Sequence, residues 1–282
     1  MNFALSYFIG FSVFLIGLYI GSILNKIIRL LPQLIYAEFE TEVQPNDRNR
    51  NLFGIEFLFK SKSCCNSCKK KFHFSEKIPM LGWLWFKGKC RNCGSKISIR
   101  FLFIEIITGF LTFFAVYSFG LRIEGLLIAI LLWALLVISV IDINERLIPD
   151  KIIYPILWLG LLSNSFGLFT SLHNSVVGAI LGYVILWLIF HIFKAFTSKD
   201  GIGFGDLKLL ALLGAWLGWQ FLPLIILLSS ISGVVFGIFI MFMKKRKDTY
   251  FAFGPFLSVS GVCAIFWGRE IMELYSQYFQ LI

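Results

Sequence analysis

Long apolar runs separated by polar loops are the first pattern along the chain. They cover residues 4–31, 101–119, 122–142, 151–170, 174–194, 206–219, 221–243 and 250–268. Most reach about the 20 residues a helix needs to cross a bilayer core. One long polar insert, from Pro32 to about Arg100, interrupts the series. The pattern predicts an all-α polytopic membrane protein of about eight transmembrane helices, with a small cytoplasmic insert between the first and second. The expected divisions are 1–31, a first transmembrane helix; 32–100, the insert; and 101–282, a transmembrane domain. The first run is too long for a signal-peptide core and lacks a small-residue cleavage site, so it reads as a permanent span. The segment "REIMELYSQYFQLI" mixes charge with aromatics and is expected along the outer interface.

Composition agrees. The 282 residues are 58% hydrophobic and 15% charged, where soluble domains carry roughly a quarter charged residues. Mean hydropathy is +0.81. A formal net charge of +10 raises the question of nucleic acid, and its distribution answers it. Half of the 26 Lys and Arg residues lie between Arg48 and Arg100, and most others flank apolar runs. Under the positive-inside rule this puts the N-terminus outside, with the insert, "NERLIPDK", "KAFTSKDGIGFG" and "KKRKD" inside. Only Arg122 and Arg269 are then basic on the outer side. The expected partner is the lipid bilayer, and no nucleic acid is expected.

Two aspartates stand where carboxylates are costly. Asp142 ends the third run in "LLVISVIDINERLIPD", and Asp206 opens the sixth in "GIGFGDLKLL", both at the cytoplasmic ends of their helices. Ionisable groups in or near spans point to function, and two at matched depth suggest a pair sharing a proton. Such a pair can activate water and polarise a peptide carbonyl. Asp206 alone could instead cap its helix, and Asp142 could be an interfacial residue. Asp206 sits where the macrodipole favours negative charge, and Asp142 where its own helix opposes it, so Asp142 is expected to be more often the protonated member of the resting pair. Gly203 and Gly205 give the loop freedom to approach an extended substrate. Asp150 reads as the cap of the following helix, and Lys208 as a side chain snorkelling to headgroups.

The insert carries Cys65-x-x-Cys68 and Cys90-x-x-Cys93, two knuckles whose spacing matches a structural, tetrahedral zinc site of four cysteines. Adjacent Cys64 could substitute as a ligand; a redox pair or free thiols are the alternatives. The lysines and arginines around the knuckles would hold the module against anionic lipid.

Taken together and in order, "GLYIGSILNKIIRLLP", "IPMLGWLWFKGKCRNC", "SIRFLFIE", "DINERLIPD", "GIGFGDLKLLALLGAWLG" and "FGPFL" resemble the prepilin peptidases, bacterial aspartic peptidases of the GxGD type, also called type IV leader peptidases. The resemblance implies that Asp142 and Asp206 are the catalytic pair. It implies prepilins or pilin-like (pseudopilin) secretion subunits as substrates, cut after a glycine on the cytoplasmic face of the bacterial inner membrane. It also implies a second activity, in which S-adenosylmethionine methylates the new N-terminus, with the insert involved. Residues for that activity are not assigned by the sequence; Glu38, Glu40, Glu42 and Glu105 are acids near that side. Alternatives are a peptidase without methyltransferase activity, an ion-coupled transporter using the aspartates, and a non-catalytic zinc scaffold. A transporter predicts midplane acids and repeat symmetry, neither of which the sequence offers.

Overall fold

The computed structural model describes residues 3–43, 68, 88–96, 98–197, 203–244 and 252–280. Among these are eight α-helices: α1 (Phe3–Val43), α2 (Arg100–Phe119), α3 (Ile123–Glu145), α4 (Asp150–Ser165), α5 (Leu172–Thr197), α6 (Phe204–Leu217), α7 (Leu222–Lys244) and α8 (Gly254–Gln280). A short 3-10 turn, Trp219–Phe221, separates α6 from α7. No strand forms among the described residues, only an isolated bridge between Lys89 and Lys96. Five stretches are long and apolar enough to cross a membrane: Ile9–Phe39, Arg100–Phe119, Ile123–Glu145, Leu172–Thr197 and Trp219–Phe242. The chain is a multi-pass membrane protein. Large side chains such as Phe196, Val234 and Phe242 stand exposed along these helices, where lipid replaces water as solvent.

Two boundaries differ from the hydropathy pattern. Pro32 does not end the first helix, which continues to Val43. Leu30, Leu31, Leu34 and Ile35 are all buried, so the helical period carries on past the proline and packing offsets the lost hydrogen bond. The "REIMELYSQYF" segment continues α8 without a break as far as Gln280.

The chain divides into two compact units, Met1–Trp133 and Ala134–Ile282, with the division inside α3. In the first, α1 and α2 cross closely at small residues. A Cβ on Gly17 would lie 2.8 Å from Gly109 Cα, and one on Gly21 would lie 2.7 Å from Glu105 Cα. Such contacts let backbones approach where lipid offers no hydrophobic drive between helices. One turn further along α1, Asn25 Nδ2 donates to the Phe101 carbonyl at 2.9 Å.

The second unit is built around α6. Ten of its residues, from Asp206 to Trp216, are buried, on all faces of the helix. That pattern belongs to a central element rather than an amphipathic one. Gly178 of α5 meets Gly214 of α6 backbone to backbone, and a Cβ on Gly182 would lie 2.7 Å from the Leu210 carbonyl oxygen. Trp216 fills the space over Gly160 of α4 and donates its Nε1 proton to the Ile156 carbonyl at 2.9 Å. The far end of α6 is closed by Asn164, whose Nδ2 donates to the Ala215 and Trp216 carbonyls at 2.9 and 3.1 Å. Its Oδ1 accepts from the Phe169 and Thr170 amides. Ser175 Oγ also donates to the Ala215 carbonyl. The carbonyls that a helix end leaves unpartnered are thus satisfied inside the protein, and this fixes the helix whose other end carries Asp206.

Candidate active site

Asp142 lies in the last turn of α3 and is buried, 5% exposed. The helix stops just beyond it because Arg146 turns to a positive φ of 54° while its amide still donates to the Asp142 carbonyl at 2.9 Å. Residues 147–149 then lead directly into α4. Asp206 lies in the first turn of α6 and is 6% exposed. The backbone N–H of Gly203 holds its carboxyl, yet Oδ1 has no hydrogen-bond partner among the described residues. An unmet buried carboxylate oxygen is expensive unless chemistry uses it.

Ile148 shows how near the two acids are. A Cβ on Gly205, next to Asp206, would lie 2.7 Å from Ile148 Cβ and 3.1 Å from its Cδ1. A Cβ on Gly254, which touches Asp142, would lie 3.2 Å from the same Cδ1. One isoleucine therefore packs against the neighbours of both aspartates, and the charge on Asp142 acts on Asp206. The structure brings together the two carboxyls singled out in the sequence.

Asp142's surroundings change the expectation drawn from its own helix. Its Oδ2 accepts the Gly254 N–H at 3.0 Å, at the first residue of α8. The negative C-terminal end of α3 is thereby opposed by the positive N-terminal end of another helix. Both acids therefore meet helix N-termini, and for Asp142 this second dipole is one that α3 alone does not reveal. Gly254 is the site residue that composition and spacing left unassigned; the "FGPFL" motif was its signal.

The glycines have different roles locally. Gly205 belongs to the first turn of α6 and is needed for the close approach of Ile148. Gly203 precedes the helix in extended conformation, and a Cβ there would lie 3.3 Å from Asp206 Oδ2. Gly201 lies outside the described residues. Asp150 is not a cap: Pro149 precedes α4, and the Asp150 carboxylate pairs with Lys208.

The cysteines form a second centre. The Sγ atoms of Cys68, Cys90 and Cys93 all lie within 4.8 Å of one another. Cys90 and Cys93 sit on a tight hairpin in which the Gly94 amide donates to the Cys90 carbonyl and the Cys90 amide to the Ser95 carbonyl, both at 2.9 Å. Gly94 has φ 70° and nothing near a would-be Cβ, so conformation, not space, calls for glycine there. Thiolates around one tetrahedral ion with 2.3 Å bonds stand about 3.8 Å apart, which this cluster can adopt. It can hold a metal ion. Cys65, the expected fourth ligand, and Cys64 lie outside the described residues.

Comparison with known proteins shows the family of the chain. Residues 129–238 match the model of the type IV leader peptidase family, and residues 15–119 match that of the bacterial peptidase A24 N-terminal domain. A protein of Stutzerimonas stutzeri named prepilin leader peptidase/N-methyltransferase is 40% identical over 269 residues, covering 94% of this chain and 93% of its own. The chain belongs to the type IV leader peptidase family. Two further relatives in this leader peptidase family carry the same name. One from Pseudomonas aeruginosa is 38% identical over 94% of this chain and 92% of its own, and one from Legionella pneumophila is 37% identical over 96% of each. No solved structure matches. Membership of the leader peptidase family does not favour the transporter alternative.

Proposed function

We propose that the chain is a membrane aspartic endopeptidase that removes the leader peptide of type IV prepilins or pilin-like secretion and competence subunits, and then methylates the new N-terminal residue. Asp142 and Asp206 are its catalytic carboxyls. The observation that carries this reading is their meeting, from two separate helices, around Ile148 in a buried site, in a chain of the leader peptidase family.

Two carboxyls this near cannot both stay ionised without cost, so the pair holds one proton between them. The ionised member takes a proton from a water molecule as its oxygen attacks the scissile carbonyl carbon. The protonated member gives its proton to the carbonyl oxygen, which leaves a neutral gem-diol. Collapse breaks the C–N bond: the proton gained from water goes to the leaving amine, while one gem-diol hydroxyl returns its proton to the other carboxylate, which restores the starting pair. Gly203 keeps the approach to Asp206 free of a side chain for an extended substrate strand, while Gly205 lets Ile148 close the other side of that loop. The basic loops support a site on the cytoplasmic side of the inner membrane, with the N-terminus outside.

The knuckle metal is proposed to be zinc, held by Cys68, Cys90 and Cys93 with Cys65 as fourth ligand. When bound it cross-links an insert too small to fold on a core of its own. Methylation calls for S-adenosylmethionine, which supplies an electrophilic methyl group and carries positive charge on sulfur. Residues suited to such a group lie on the packed helices α1 and α2 of the first unit. Asn25 Oδ1 is buried without a hydrogen-bond partner among the described residues, and Glu105 is buried on the facing helix. Both offer acceptor oxygens to a cation.

Co-expression with a prepilin tests the peptidase reading. Asp142→Asn and Asp206→Asn should each abolish the size shift, at least about 10³-fold in rate, while membrane insertion persists. Normal processing by either variant removes that residue from the pair. Mass spectrometry of the product's N-terminus reads the cut position and the added methyl group together.

A further inference from the structure

We propose that Gly254 is a positioning residue for Asp142, and that the "FGP" turn at 253–255 makes the start of α8 a third structural element of the active site. The inference rests on Asp142 being a catalytic carboxyl.

The first turn of any helix leaves backbone N–H groups without partners inside the helix. In α8 these groups are accounted for one by one. The amides of Phe256 and Leu257 both donate to the Phe253 carbonyl, at 3.0 and 3.2 Å. Pro255 has no N–H. Phe253, which stands where a capping side chain would normally be, has no acceptor to offer. The remaining donor among residues 254–257 is the Gly254 N–H, and it goes to Asp142 Oδ2, 112 positions away in the chain. An aspartate of α3 thus caps α8, and the positive end of α8 anchors the aspartate. Because Oδ2 is engaged, chemistry at Asp142 falls to Oδ1.

Glycine is required here for space. Gly254 is not among the residues of positive φ, so backbone freedom does not explain it. A Cβ at this position would stand 2.5 Å from Asp142 Oδ2 and 3.2 Å from both its Cγ and Ile148 Cδ1. Alanine would therefore push the carboxyl out of place or break its hydrogen bond. Proline next in line contributes by what it lacks, since it brings no second donor to compete for the carboxylate.

The test uses the purified full-length protein and a peptide spanning a prepilin leader–mature junction. Gly254→Ala should lower kcat by about 100-fold, as expected for an ångström-scale displacement of a reacting group, with KM close to that of the parent. A parental kcat, or a raised KM with kcat intact, would overturn the positioning role. Thermal unfolding supplies a readout independent of turnover. Gly254→Ala should lower Tm in the parent but not in an Asp142→Ala background, where the oxygen it would strike is gone. An equal loss in both backgrounds would overturn the contact. The two readings separate cleanly: if Asp142→Asn still cleaves the peptide, the catalytic assignment fails, while the unfolding comparison still decides the Gly254–Asp142 relationship.

Discussion

Lys208 reaches from α6 to α4 and places its Nζ 2.7 and 2.8 Å from the two carboxylate oxygens of Asp150. The same ammonium stands 5.5 Å from the centre of the Tyr154 ring. Two residues expected to act separately, one as a cap and one as a snorkelling cation, instead tie the start of α4 to the first turns of α6, beside Asp206. Asp150 is 48% exposed, so water screens the pair and its worth is that of a surface bridge, about 0.2–1 kcal/mol. A double-mutant cycle of Lys208→Met and Asp150→Asn, followed by thermal unfolding, should give a coupling in that range that shrinks as salt rises. A coupling of zero at low salt would show that the pair does not hold the two helices together.

Gly205 and Ile148 make a tighter dependence. A Cβ at 205 overlaps the Ile148 side chain, and forced overpacking costs about 1–3 kcal/mol. Gly205→Ala should lower stability by that amount and reduce cleavage. Adding Ile148→Ala makes room and should restore much of both. If the second substitution gives no recovery in either assay, Ile148 is not the obstacle.

The cysteine cluster is expected to contain one zinc per chain when the protein is purified under reductant. Metal analysis checks the stoichiometry. Cys90→Ser should release the metal, and because structural zinc is worth on the order of 10 kcal/mol at neutral pH, the insert should become protease-sensitive. The membrane helices should keep their helical signal. A metal-free parent with a protease-resistant insert would contradict the site.

Methylation should be separable from cleavage. Asn25→Leu or Glu105→Gln, in the first unit, should yield a product cut at the normal place but lacking the mass of one methyl group. Binding of S-adenosylmethionine, followed by thermal shift, should weaken in parallel. Full methylation by both variants would remove these residues from the second activity.

Much of this was legible in the sequence because the bilayer makes its demands in one dimension. Apolar length marks the spans, and acids at the ends of spans stand out because they are costly there. Asp142 and Asp206 could therefore be singled out without a structure, and Cys68, Cys90 and Cys93 followed from knuckle spacing. What stayed hidden depends on contacts between distant positions. No local pattern says that the amide of Gly254 meets a carboxylate of α3, and reasoning from α3 alone left that second helix N-terminus out of the electrostatics of Asp142. The same limit applies to Pro32, where burial of Leu34 and Ile35 carries the helix past a residue that would stop it in isolation. Lys208 and Asp150 were each given a plausible role from near neighbours, and the fold chose a different one.

The brevity of α6 has a consequence for the surrounding lipid. At 14 residues the helix is about 21 Å long, while the hydrocarbon layer is about 30 Å thick. A helix running only from Phe204 to Leu217 is too short to reach both surfaces of such a layer, so Asp206 is expected to start from a recess that hydrolytic water must enter. Thicker membranes should deepen that recess and thinner ones open it, so cleavage in vesicles of graded acyl-chain length is expected to slow as the layer thickens.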